Sequence, residues 1–99
     1  MAEMPLFLKA LADNDPEFAR RVVDLRTFAD AGGALDAKTK TLMSMLADAL
    51  LGHPEGVAAI AERARQQSAT EQEIAETVRM AFMTGGLPAL VTGLRAFKR

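Results

Sequence analysis

Four helix-start signals constrain this chain more than any other feature of its sequence. Asp or Thr side chains accept hydrogen bonds from the free N–H groups of a first helical turn, and proline suits the first helical position. The four signals are Asp15-Pro16-Glu17, Asp36, His53-Pro54-Glu55 and the capping box Thr70-Glu71-Gln72-Glu73. Glycines at 32–33, 52 and 85–86 supply the matching stops. This punctuation predicts helices that begin near residues 15, 36, 53 and 70, and a last helix after residue 86.

Apolar residues recur at helical spacing behind each start, and no stretch alternates as a strand would. The helix over 36–51 is apolar around more of its circumference than one core face needs, because Met43, Ala47 and Leu51 widen its stripe. Such a helix is central, or it is buried by another subunit. Met4 to Leu11 is compatible with a short helix or with an extended arm. We therefore predict an all-α fold, a compact helical bundle of five to six helices.

Composition excludes several classes of protein. A formal net charge of -1 leaves no surplus of Lys and Arg for general nucleic-acid binding. No apolar run approaches the roughly 20 residues of a membrane span, and the N-terminus lacks the pattern of a signal peptide. We expect a cytoplasmic protein with no nucleic-acid or membrane partner. The sequence contains no cysteine, which excludes thiol chemistry on this chain.

Three segments resemble the carboxymuconolactone decarboxylase family, which includes the alkyl hydroperoxidase D proteins. They are LDAKTK at 35–40, ATEQEIAETVRMA at 69–81 and GGLPAL at 85–90, in family order and near family spacing. The resemblance covers about residues 15–97 and implies a single domain over 1–99 with its core there. It also implies assembly as a homo-oligomer, a trimer or a hexamer, and a chemistry without metal or organic cofactor.

The family's reactive positions fall on residues of different chemistry in this sequence. The resemblance places the family's Glu on Thr41, its two Cys on His53 and Gly56, and its His on Ile60. Peroxide reduction needs a thiolate and a resolving thiol, so we expect no thiol peroxidase activity. The chain's single His lies about two helical turns, roughly 10 Å, from the family's His position. Thr41 and Ile60 are the positions where we expect a ligand to bind.

His53 is the polar residue best suited to take part in catalysis or binding, because it opens a helix beside Glu55. The pair is a candidate for acid–base catalysis. A helix start also suits an anion, and three His53 rings about a threefold axis would suit a metal. The plain alternative is a turn or interface residue. We take His53 and Glu55 as the candidate catalytic residues and predict no metal site.

Two further groups of side chains have structural interpretations. The hydroxyls of Thr39, Thr41 and Ser44 are expected to bond carbonyls of the preceding turn. Methionines 43, 45, 80 and 83 recur on two helices, where a core or subunit interface is favoured over a ligand or soft-metal site.

Three functions remain open from the sequence. The first is an oligomeric protein that binds a small apolar or acidic ligand. The second is a cofactor-free lyase or decarboxylase that uses His53 and Glu55 on a small lactone or keto acid. The third is a protein-interaction scaffold that uses the apolar helix at 36–51.

Overall fold

A computed structural model describes residues 6–98 as helices joined by short turns. The chain divides after Ala31 into two compact units. The first unit holds α1 (Leu6–Asn14) and α2 (Pro16–Asp30). The second holds α3 (Ala37–Leu51), α4 (Pro54–Gln66), α5 (Glu71–Gly93) and a short 3₁₀ helix (Leu94–Ala96). Residues 6–98 contain no strand, which confirms the all-α prediction.

The predicted helix starts are confirmed at α2, α3 and α5 by their capping hydrogen bonds. Asp15 accepts the N–H of Phe18 at 3.1 Å, and Asp36 accepts the N–H of Thr39 at 2.7 Å. The helical alternative for the N-terminal segment is also confirmed from Leu6 onward, while Met4 and Pro5 lie outside the described residues. The single-domain organisation over 1–99 stays a prediction.

α5 is interrupted where the sequence predicts a break. Gly86 has φ 76° and ψ -162°, a conformation that residues with a Cβ rarely adopt. Pro88 follows two residues later, and the chain then continues as a helix to Gly93. The predicted last helix is therefore the second half of α5, joined to the first half through one non-helical residue.

The core of the second unit is built from small side chains. α3 packs against both α4 and α5, and the largest fully buried side chains are Met45, Ile74 and Val57. Leu42, Leu46, Ile60 and Leu90 are partly buried against this core. The rest of the buried cluster is alanine except for one valine: Ala49, Ala61, Ala64, Ala69, Val78, Ala81, Ala89 and Ala96. Small residues let the three helices approach one another closely.

Two of the predicted apolar stripes lie on the outside of the chain instead of in the core. In α2 the stripe residues Phe18, Leu25 and Phe28 are exposed, and the buried residue is Ala19. In the last helical segment Leu87 and Val91 are likewise exposed, whereas the alanines at 89 and 96 are buried. Periodicity identified the apolar stripes, but in these two helices most of the stripe is exposed and alanines are buried instead.

Candidate functional site

The turn between α3 and α4 carries the candidate catalytic histidine. Gly52 ends α3 in the left-handed conformation, with φ 78°. His53 is the residue before the first turn of α4, and its side chain makes no capping hydrogen bond. Its Nδ1 instead lies 3.2 Å from Oδ1 of Asp48, in the last turn of α3. The His53 side chain is 60% exposed, so the ring faces solvent in this chain.

The carboxylate beside the histidine is Asp48, which sequence reasoning missed. Glu55 was expected as the partner, but it is an exposed residue of the first turn of α4. No hydrogen bond or ion pair joins it to His53 within residues 6–98. Asp48 was detectable in principle, because an acid in the last turn of a helix faces the negative end of the helix dipole. A carboxylate in that position needs a hydrogen-bond donor to stabilise it, and the His53 ring lies within reach.

Asp48 also occupies the space beside Gly56 in the first turn of α4. A Cβ placed on Gly56 would overlap Oδ2 of Asp48 and would lie 2.9 Å from its Cγ. The carboxylate therefore sits against the backbone at the start of α4, where the unpaired N–H groups of a helix favour an anion. The carboxylate takes up space beside this turn, and anion binding at this helix start stays a prediction.

The two expected ligand-binding residues lie deeper in the second unit. Thr41 is 4% exposed, and its hydroxyl donates to the carbonyl of Ala37 at 3.0 Å. This hydrogen bond confirms the back-bonding expected for a hydroxyl inside a helix. Ile60 is partly buried against the core. Ligand binding by Thr41 and Ile60 stays a prediction.

A second candidate site is an open groove of about 340 Å³ between α3 and α5. Its lining combines aliphatic and thioether side chains with two hydroxyls and two carboxylates: Thr39, Leu42, Met43, Leu46, Glu73, Glu76, Thr77 and Met80. Met43 and Met80 are about half exposed in it. The sequence pattern had marked both methionines as core or interface residues, and a groove between their helices could not be derived from spacing alone.

The two carboxylates of this groove, Glu73 and Glu76, both accept hydrogen bonds from neighbouring residues. Glu73 accepts the N–H of Thr70 at 2.9 Å and the Lys38 ammonium at 2.9 Å. The Thr70 N–H, followed by the Lys38 ammonium, lowers the pKa of Glu73 below its ordinary value. Glu76 accepts a hydrogen bond from Gln72 at 3.0 Å. The groove therefore presents apolar walls beside two carboxylates, of which Glu73 has a lowered pKa.

Among residues 6–98, no group of three or more His, Asp or Glu side chains lies close enough to hold a metal ion. None of the helices there has both the length and the apolar character to cross a membrane.

Comparison with known proteins identifies the relatives of this chain. The model of the carboxymuconolactone decarboxylase family matches residues 16–99. A crystal structure of the apo form of a carboxymuconolactone decarboxylase family protein from Legionella pneumophila is similar, with a TM-score of 0.84 and 30% sequence identity. The similarity covers 90% of this chain and 80% of that chain. No curated protein matches the sequence. The family match spans both compact units, and the chain belongs to the carboxymuconolactone decarboxylase family.

Proposed function

We propose that this family member is a homo-oligomeric protein that binds a small apolar ligand and has no thiol peroxidase activity. The chemical part of the proposal rests on the absence of cysteine from the sequence. The positions that resemble the family's reactive thiols hold His53 and Gly56, and neither can form a thiolate or a disulfide. The cytoplasmic location stays a prediction.

The observation that carries the oligomer is the exposure of all five phenylalanines. Their exposed fractions run from 38% for Phe97 to 81% for Phe28, while the core is filled by much smaller side chains. Full burial of a Phe, Leu or Met side chain contributes about 1.5–3 kcal/mol. Large apolar groups outside and alanines inside are typical of a chain that buries part of its surface against another protein, and the proposal takes that protein to be a second copy. A trimer or a hexamer is the assembly that the family resemblance implies.

The groove between α3 and α5 supports an apolar ligand over an acidic one. Leu42, Leu46 and Met80 supply its apolar walls, and its charged lining residues are Glu73 and Glu76. A carboxylate ligand there would meet like charges. At the start of α4 an acidic ligand would meet Asp48, which lies against Gly56.

Native mass spectrometry tests the oligomer. We expect the wild-type protein at micromolar concentration to give a trimer or a hexamer, and Leu87→Glu to shift it toward monomer because Leu87 is 66% exposed and apolar. Gln66→Glu is the matched control, since it adds the same charge at an exposed polar position. A folded wild-type monomer would overturn the oligomer and favour the scaffold function, with another protein covering the apolar faces.

Titration with Nile red, a neutral apolar dye, tests the groove. We expect saturable fluorescence with wild-type protein and with Gln66→Glu. Met80→Glu should weaken dye binding at least tenfold, because it places a third carboxylate among the groove residues. Fluorescence that does not saturate, or that is the same in Met80→Glu, would contradict the binding site.

A cofactor-free lyase or decarboxylase is the second candidate function. The observation that favours it is the exposed imidazole of His53 beside a carboxylate at 3.2 Å. Such a pair is suited to moving a proton on a small lactone or keto acid. The sequence had pointed to His53 and Glu55, so His53→Ala and Glu55→Gln are the variants to assay. Turnover retained by a folded His53→Ala protein would exclude this function.

A further inference from the structure

Asp48 contacts the start of α4 through its backbone and through both ends of its carboxylate. Its carbonyl oxygen accepts the His53 N–H at 2.9 Å, its Oδ1 lies 3.2 Å from His53 Nδ1, and its Oδ2 lies beside Gly56. We propose that Asp48 is a positioning residue that holds the His53 ring with Nδ1–H toward the carboxylate, so that Nε2 is the proton acceptor. This inference rests on the second candidate function, acid–base chemistry at His53.

The carboxylate is the fixed member of the pair, and the ring is the exposed one. The Asp48 side chain is 23% exposed and the His53 side chain 60%. Asp48 is held from one side by α3 and from the other by Gly56. The turn between the two residues is closed by the His53 N–H bond to Asp48 and by the Gly52 N–H, which bonds the carbonyls of Ala49 and Asp48. A ring attached to such a turn has its orientation set by the carboxylate.

The hydrogen bond decides which ring nitrogen is reactive. An ionised carboxylate only accepts hydrogen bonds, so a neutral ring facing it must donate from Nδ1–H. The lone pair then lies on Nε2, which has no hydrogen bond within residues 6–98. An N–H bond forms there when a weakly acidic O–H or C–H group of a small substrate gives up its proton, and the electron pair of the broken bond stays on the substrate. The resulting imidazolium is stabilised by the adjacent Asp48 charge.

Glu55 has no part in this arrangement. It lies in the first turn of α4 and makes no hydrogen bond to the ring among the described residues. It is therefore the matched control for Asp48: a second carboxylate close to His53 in sequence, without the contact. Asp48→Asn keeps nearly the same volume beside Gly56. The Asn amide can donate a hydrogen bond to Nδ1. We therefore expect the ring to carry its lone pair on Nδ1 and its proton on Nε2.

Long-range ¹H–¹⁵N NMR spectra test the inference without any substrate. The chain has one histidine, so its ring signals need no assignment by mutation. At alkaline pH, where an ordinary imidazole is neutral, we expect wild type and Glu55→Gln to hold the proton mainly on Nδ1. Asp48→Asn should move the proton to Nε2 and change the tautomer ratio at least about tenfold. Carbethoxylation of Nε2 by diethyl pyrocarbonate should slow by a similar factor in Asp48→Asn.

The outcomes separate this inference from the function on which it rests. Wild type with the proton mainly on Nε2, or a tautomer ratio unaffected by Asp48→Asn, overturns the role of Asp48. A shift in Glu55→Gln equal to that in Asp48→Asn overturns it as well. If Asp48→Asn fails to fold, as judged by circular dichroism, the wild-type tautomer alone decides. Loss or retention of turnover in His53→Ala bears on the lyase function and leaves the tautomer result standing.

Discussion

The starts of α4 and α5 differ in whether a side chain caps the first turn. At α5 the Thr70 hydroxyl accepts the Glu73 N–H at 3.0 Å, and Glu73 accepts the Thr70 N–H at 2.9 Å. At α4 the residue in the capping position, His53, makes no such bond, and the carboxylate found there comes from α3. The start of α5 is capped within four residues of sequence. At α4 the His53 ring contacts Asp48 of α3 instead of capping its own helix.

The largest expected effect comes from breaking the contact at α4. Gly56→Ala places a Cβ where the Asp48 carboxylate lies, so the carboxylate has to turn away and we expect a loss of about 1 kcal/mol in the free energy of unfolding, about 2 kcal/mol from the gain expected without Asp48. Urea denaturation measures it. In an Asp48→Ala background the overlap is gone, and Ala at position 56 should stabilise the helix by up to about 1 kcal/mol. The same sign in both backgrounds would show that the contact does not govern this helix start.

At α5 the corresponding test removes the arginine that ties its first turn to the rest of the second unit. Arg65 donates to both carboxylate oxygens of Glu71, at 2.7 and 2.9 Å, and to the carbonyl of Ala96 at 2.7 Å. Its side chain is 12% exposed. Since Glu71 is exposed to solvent, we expect Arg65→Met to cost about 1.5 kcal/mol in thermal or urea unfolding. Arg21→Met, which breaks the exposed pair with Glu17, is the control and should cost less than about 0.5 kcal/mol.

A smaller difference separates the two capping residues themselves. Thr70→Ala removes a side-chain cap and should lower the free energy of unfolding by about 1 kcal/mol. His53→Ala removes no cap, so its effect should stay within about 0.5 kcal/mol. Paired urea curves give both values. An equal loss in the two variants would mean that the His53 ring supports the fold as much as the Thr70 hydroxyl does.

The smallest expected effect is a dependence of stability on pH at the start of α5. The pKa of Glu73 is lowered by the Thr70 N–H and then by Lys38, and that of Glu71 is lowered by Arg65. A lowered pKa in the folded state gives stability that is present above the unfolded pKa and is lost as pH falls through the folded one. Urea midpoints should therefore drop on acidification, and less steeply in Glu73→Gln. Parallel curves for the two proteins would contradict a role for the Glu73 charge.

Local signals in the sequence were sufficient for most of the fold. Asp15, Asp36 and Thr70 each bond an N–H three residues later, so their helix starts could be predicted from adjacent residues. The break at Gly86 was predictable for the same reason, since glycine tolerates its backbone conformation. Helical periodicity could not predict whether an apolar stripe is buried in the core of this chain or exposed on its surface. The stripe of α2 reads as a core face in the sequence and is exposed in this chain.

The candidate site was predictable only in part, because half of it comes from another helix. His53 was visible as the single histidine at a helix start. Its partner was assigned to Glu55, two residues away, whereas the turn at Gly52 brings Asp48 to the ring. The groove between α3 and α5 depends on how the two helices pack, and helical spacing on one helix contains no information about it.

The contact between Asp48 and Gly56 also links the two positions that would carry a Cys-x-x-Cys pair to a third residue. A cysteine at position 56 needs the volume that the Asp48 carboxylate fills. A Cys-x-x-Cys pair at positions 53 and 56 would therefore require the Asp48 carboxylate to turn away from the start of α4. Such a pair removes the His53–Asp48 contact from both sides, because it replaces the imidazole and displaces the carboxylate.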